Sequence, residues 1–123
     1  MPKNTLYYAI AKNLKNQWET VLGIRCTIQS YPTPEFHQKR SEKNYHLALT
    51  QWEAPTSDPL TTLMAFESAT DPFNFSNWEN LYYQKLLKIA AQETDLLKRE
   101  IRIKKLENIL IDHACVLPLF YER

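Results

Sequence analysis

One glycine, Gly23, stands among 123 residues, against an average share of about 7%. Glycine supplies the left-handed dihedrals of tight turns and the bare backbone that can approach a phosphate, so its scarcity removes fold and function classes together. The chain has no GxGxxG and no P-loop, and no Gly-rich cradle for a nucleotide can be built from it. It also lacks the turn chemistry of an all-β sandwich, so helices should dominate. Tyr7, Ile10, Leu14, Trp18, Val21 and Leu22 recur at three- and four-residue spacing and describe one apolar helix face over residues 5–22, with Asn4 or Thr5 as its cap. Gly23 follows directly, where a left-handed C′ residue ends a helix. It is read as a helix stop.

Ile24, Cys26, Ile28 and Ser30 then alternate with Arg25, Thr27 and Gln29, the period of a strand with one wet face. Thr33-Pro34-Glu35 reads as cap, first turn and acidic first-turn residue of a short helix through Glu42, with the polar run 37–43 a solvated face. Residues 45–51 form a short apolar run without helical period, which predicts a central strand covered on both faces, with Leu47 and Leu49 deeply buried. Asp58-Pro59 supplies an N-cap and a first-position proline for a helix carrying Leu60, Leu63, Met64 and Phe66. Residues 67–77 read as a loop anchored by aromatic packing. Asn80 caps a helix bearing Tyr83, Leu86, Leu87 and Ala90. A last helix over about 94–113 turns Leu96, Ile103, Leu106 and Leu110 inward and the Glu100 and Lys104 pair outward. Residues 115–121 are a final strand, which Pro118 confines to an edge or a bend. The order predicts one α/β domain over residues 1–123, a small mixed three-stranded sheet with long helices. So small a sheet for such helices suggests that a neighbouring part of the fold is missing.

Composition narrows function further. Fifteen basic residues against fourteen acidic ones leave a net charge of +1, no field to hold a phosphate backbone, so nucleic acid is not an expected partner. No apolar run reaches the ~20 residues of a membrane span. Residues 1–4 lead straight into the amphipathic pattern without a secretory h-region, which by itself predicts a cytoplasmic location. Cys26 and Cys115 stand outside any CxxC spacing and read as two buried thiols. His37, His46 and His113 show no metal-ligand spacing, so neither a metal nor a cofactor is expected. The serines sit in no nucleophile elbow and no triad spacing is present, so no catalytic residue is assigned and the chain is not expected to be an enzyme.

Four segments, in order, carry a family resemblance. Ile10-Ala11 through Trp18 to Leu22-Gly23-Ile24 resembles a helix and following strand. Leu47 to Pro59, with Trp52 and Asp58-Pro59, resembles a strand, Trp and Asp-Pro unit. Asn77-Trp78-Glu79-Asn80 with Tyr83 and Leu86-Leu87 is similar to an aromatic helix entry, and Arg99 through Leu106-Glu107, Ile109-Leu110 and Val116-Leu117-Pro118-Leu119 to a final helix and exit strand. Together they resemble the C-terminal part of bacterial oligopeptide-binding proteins, the extracellular solute-binding receptors of ABC peptide importers. The resemblance implies a partial second lobe of a periplasmic-binding-protein-like clamp, and hence peptide capture for transport. It implies as partners a peptide ligand, the importer's permease subunits and the missing N-terminal lobe of the same receptor. It also implies a periplasmic or cell-envelope location.

The ligand-facing residues the resemblance implies are Gln51, Trp52, Glu53, Ala54 and Pro55, because the strand at Trp52 would pair with an extended peptide through its backbone. Where the family places an Asp for the peptide amino terminus, this sequence has Pro55, and Glu53 or Asp58 replaces it only with a rearranged loop. Gln84 stands where the family has an Asp. From its position alone Trp52 is a pocket wall or a core residue, Glu53 a solvated carboxylate or the partner of a cation, and Asp58 a helix cap. Trp78, Tyr82 and Tyr83 form a core cluster or a partner-binding patch. Two alternatives to peptide capture remain: a small non-catalytic protein-interaction domain, or an inactive remnant of a split reading frame.

Overall fold

A computed structural model of the chain describes residues 1–54 and 56–120. Among these residues lie five helices: α1 (Thr5–Leu22), α2 (Thr33–Glu42), α3 (Pro59–Met64), α4 (Leu81–Gln92) and α5 (Leu96–Asp112). The chain divides into two compact units, Met1–Trp52 and Glu53–Arg123.

In the first unit α1 begins on Asn4, whose side-chain oxygen accepts the Leu6 and Tyr7 backbone N–H groups at 2.8 and 3.4 Å. It ends on Gly23 at φ +67°, the left-handed stop that an L-residue adopts only with strain. Tyr7, Ile10, Leu14 and Trp18 are half-buried, but Val21 and Leu22 of the same stripe are exposed. Past Gly23 the Glu19 carboxylate accepts the Cys26 N–H at 3.3 Å. Residues 1–3 run parallel to 29–31: the Tyr31 N–H donates to the Met1 carbonyl at 3.0 Å and the Lys3 N–H to the Tyr31 carbonyl at 2.7 Å. Thr33, expected as the cap of α2, is its first helical residue. The Phe36 N–H already bonds the Pro32 carbonyl at 2.9 Å, which moves the helix start back by one residue.

In the second unit α3, α4 and α5 pack on one another. Each starts on a residue whose side chain accepts a backbone N–H of the first turn: Asp58 from Leu60, Asn80 from Tyr83, and Asp95 from Lys98, so that α5 begins two residues after the expected start at about 94. Leu60 and Leu63 of α3, Tyr83, Leu87 and Ala90 of α4, and Ile103, Leu106 and Leu110 of α5 are buried, each large apolar side chain contributing about 1.5–3 kcal/mol. Tyr83 is fully buried, and its hydroxyl donates to the Leu63 carbonyl, tying α4 to α3. Burial pushes its phenol well above the ordinary range. Leu96, expected inward, is 79% exposed at the open first turn of α5, whose first buried residue is Ile103. Between α4 and α5 the Glu93 carboxylate accepts the Asp95 N–H at 3.3 Å and Arg102 Nε at 3.0 Å.

Residues 67–77 are a loop, as the sequence predicts, but a polar side chain organises it. Asn74 is 1% exposed. Its amide nitrogen donates to the Ser68 and Trp78 carbonyls at 3.0 and 3.3 Å, and its oxygen accepts the Ser76 N–H and hydroxyl at 3.1 and 2.7 Å. All its hydrogen-bonding groups are engaged, which makes so buried an amide tolerable. Glu79 adds a second tie, its carboxylate accepting the Ala69 N–H at 2.8 Å.

Among the described residues the expected three-stranded sheet is not seen. Among the described residues no strand ladder exists, and the Pro2 and Tyr31 bridge is isolated. Residues 24–30, 45–51 and 115–120 carry no strand assignment, and residue 121 lies outside the described residues. Leu47, expected in the core, is 72% exposed and Leu49 is half-buried. The physical reason is that an apolar run signals a need for cover, whereas cover requires neighbouring strands and helices that the described residues do not supply.

Candidate functional site

Residues 51 and 52 close the first unit, and residues 53 and 54 open the second. On the first-unit side α2 ends in a basic turn, and Arg40 reaches from it to the chain just before the site: Nη1 donates to Thr50 Oγ1 at 2.9 Å, and Thr50 Oγ1 donates to the Gln51 carbonyl at 3.2 Å. Its other terminal nitrogen meets His37 Nδ1 at 3.0 Å. A guanidinium has no acceptor, so in this contact the ring nitrogen is the acceptor. The Arg40 guanidinium also lies 5.7 Å from the centre of the Phe36 ring, a cation–π contact. The run 37–43 is therefore more than a solvated face. The sequence signal for it is Phe36 four residues before Arg40, an aromatic and a cation on one helical stripe.

Gln51 is exposed and Trp52 half-buried at the close of the first unit; Glu53 and Ala54, both exposed, open the second. Pro55 lies outside the described residues. Glu53 makes no hydrogen bond or ion pair among the described residues, so its carboxylate is open to a cationic group. Asp58 is not. Thr56 Oγ1 accepts the Asp58 N–H at 3.2 Å and donates to Thr61 Oγ1 at 2.8 Å, and the two Asp58 carboxylate oxygens go to the Leu60 N–H and to Arg99 Nη2. Those two bonds, the Arg99 bond foremost, hold the Asp58 carboxyl below its ordinary value. It is a structural anion, as the sequence suggests.

The other sequence candidates resolve separately. Tyr83 is core, with Trp78 edge-on to it at 5.1 Å between ring centres, while Tyr82 is exposed beneath the Lys105 ammonium. Gln84 donates its amide to the Glu67 carbonyl at 2.7 Å, a bond that an ionised Asp could not make. Cys26 and Cys115 are free and half-buried. Cys115 Sγ lies 3.6 Å from Ser76 Oγ, and burial pushes its thiol up, away from nucleophilic use. Among the described residues no three His, Cys, Asp or Glu side chains converge on a metal position, and no helix is long and apolar enough to cross a membrane.

No family model matches the chain. It is 29% identical over 112 residues to an oligopeptide-binding protein of Bacillus subtilis, covering 91% of this chain and 21% of the relative. It is 31% identical over 121 residues to a di/tripeptide-binding protein of Pseudomonas aeruginosa, covering 96% of this chain and 22% of the relative. A further relative, 27% identical over 98% of this chain and 22% of its own length, is a probable deoxycholate-binding periplasmic protein of Escherichia coli. Among solved structures, a periplasmic oligopeptide-binding protein of an oligopeptide ABC transporter from Borrelia burgdorferi superposes with a TM-score of 0.82 at 27% identity, over 90% of this chain and 22% of that one. The chain thus spans about a fifth of the length of the curated relatives it matches. These relatives are solute-binding proteins, not enzymes, and their fold is of the α/β class even though the described residues here form no sheet. The chain is homologous, over nearly its whole length, to a segment of the bacterial oligopeptide- and dipeptide-binding proteins.

Proposed function

We propose that this chain supplies part of the second lobe of a peptide-binding clamp, which captures peptides in the cell envelope and delivers them to the permease subunits of an ABC importer. The carrying observation is the homology, which runs through more than nine-tenths of the chain to proteins named for oligopeptide and di/tripeptide binding. In this reading the backbone at Gln51, Trp52 and Ala54 pairs with an extended peptide, Trp52 walls the pocket, and the open Glu53 carboxylate takes the peptide's cationic end. Pro55 adds no charge there. Backbone pairing ignores side chains, which suits a receptor for many sequences. The small mixed three-stranded sheet belongs to the whole clamp, as does the missing N-terminal lobe that closes over the ligand.

High affinity in a clamp comes from desolvating the ligand on two sides. The chain alone should therefore bind peptides weakly, and the complete clamp tightly. A mixed tripeptide pool titrated against the chain, with Trp fluorescence as readout, tests this, followed by the same titration with an N-terminal lobe supplied. Binding restored by the lobe and weakened by Trp52→Ala supports the reading. Micromolar binding by the chain alone overturns the dependence on a second lobe. Saturation by deoxycholate and by no peptide overturns the ligand class.

A further inference from the structure

Arg40 is held by its own helix before it reaches the chain beyond it. One terminal nitrogen meets His37 Nδ1 at 3.0 Å, and the guanidinium lies 5.7 Å from the centre of the Phe36 ring, a residue only 3% exposed. With those two contacts setting the plane of the fork, Nη1 donates to Thr50 Oγ1 at 2.9 Å, ten residues along the chain. All of these groups, from Phe36 to Trp52, belong to the first unit.

The bond to Thr50 decides where the threonine proton goes. A guanidinium can only donate, so Thr50 Oγ1 is the acceptor, and its own O–H is left to donate to the Gln51 carbonyl at 3.2 Å. The Gln51 carbonyl and the Trp52 N–H are the two ends of one peptide group, which is planar and trans. In such a group C=O and N–H point in opposite directions. Whatever fixes the Gln51 carbonyl therefore also fixes the line along which Trp52 presents its N–H.

We infer that Arg40 is a positioning residue for peptide capture: acting through the Thr50 hydroxyl, it orients the Gln51–Trp52 peptide group, whose N–H is presented to the backbone of an extended peptide. This rests on the receptor reading above and adds to it the residue that aims the ligand-pairing backbone. A peptide group oriented before the ligand arrives need not be ordered on binding. Arg40 acts at one remove, because its two terminal nitrogens already meet His37 and Thr50. A lysine would not replace it, since a single ammonium lacks the planar fork that spans both partners.

NMR of the isotope-labelled chain reads this peptide group directly, through the Gln51 carbonyl carbon and the Trp52 amide. Thr50→Val keeps the β-branched shape and removes the hydroxyl, and should move both signals. Arg40→Met should move them to the same place, and the double variant no further, because the two changes cut one relay. Thr50→Ser should leave them near their wild-type positions. A role confined to holding α2 together would instead shift the α2 amides in Arg40→Met and leave Gln51 and Trp52 unmoved in Thr50→Val, which overturns the proposal. Additive displacements from the two changes overturn it as well. Should Arg40→Met fail to fold, Arg40→Lys takes its place, with the same displacement expected.

A mixed tripeptide pool titrated against the same variants, with an N-terminal lobe supplied, gives the functional half of the test. Affinity should fall by roughly three- to tenfold for Thr50→Val and for Arg40→Met, the span of one hydrogen bond. Thr50→Ser should bind like wild type, and the melting temperature of Thr50→Val should not change. Equal affinity of wild type and Thr50→Val overturns the role in capture. A wild-type chain that binds no peptide with the lobe supplied sinks the receptor reading instead, and the NMR displacements then still decide whether Arg40 orients this peptide group.

Discussion

Asp58 and Arg99 meet at 2.7 Å across 41 positions of sequence, and the carboxylate oxygen left over accepts the Leu60 N–H at 3.1 Å. One side chain therefore both starts α3 and ties it to the first turn of α5. Asp58→Ala removes cap and ion pair together, whereas Asp58→Asn keeps a capping oxygen. The melting temperature should fall by several degrees for Ala and by less for Asn. The pH dependence has a definite sign. A carboxyl held below its ordinary value of 3.8 contributes stability above that value and loses it as pH falls through the depressed one. The gap between wild type and Asp58→Asn in thermal melts should therefore be widest at neutral pH and close under strong acid.

Asn74 should be the most sensitive polar position of the second unit. Asn74→Ala leaves the Ser68 and Trp78 carbonyls and the Ser76 N–H without their partner in a site closed to water, a cost of about 2–4 kcal/mol when summed conservatively over the lost bonds. Asn74→Asp keeps the acceptor but loses both donated bonds, and should also destabilise. Urea titration gives both values; a change below half a kcal/mol for Ala would show that water replaces the amide.

Gly23→Ala should destabilise by about 1 kcal/mol, because its φ of +67° is left-handed. No atom lies within 4 Å of the position a Cβ would take, so the cost is backbone strain without a steric clash. Asn, which tolerates this region better, should recover part of it. An Ala variant that melts higher than wild type would show that the helix stop is not held in this conformation.

Leu47→Ala should cost less than about 0.5 kcal/mol in the isolated chain, the usual effect of a surface change, while Leu106→Ala, at a fully buried site, should cost about 2–5 kcal/mol. Denaturant midpoints of the two variants give the contrast directly. Equal losses would mean that residues 45–51 are packed in solution.

The helices were legible because their signals are local. Asn4, Asp58, Asn80 and Gly23 cap or stop their helices where the spacing of apolar residues predicts, since a cap bonds N–H groups two or three residues away. The homology was legible too, because Trp52, Asp58-Pro59 and the flanking segments keep their order. The buried hub at Asn74 was not: an Asn in a Ser- and Asp-rich loop has no periodicity to mark it, and its place is set by the loop folding back so that Ser68, Ser76 and Trp78 converge on its amide. The link from Arg40 to Thr50 was hidden in the same way, inside a run of polar residues whose composition reads as solvent-facing.

Sequence alone determined which stretches turn into helix, where α1, α3 and α4 start and where α1 stops, and that no phosphate cradle is possible, all through forces acting over a few residues. Tertiary structure alone decided which apolar residues are inside. Leu47 and Leu96 read as core by hydrophobicity, and both are exposed, whereas Asn74 reads as surface and is buried. Burial is a relation between a side chain and whatever lies opposite it. For residues 24–30 and 45–51 the described residues place no strand opposite, so their hydrophobicity records a need for cover that the described residues do not meet.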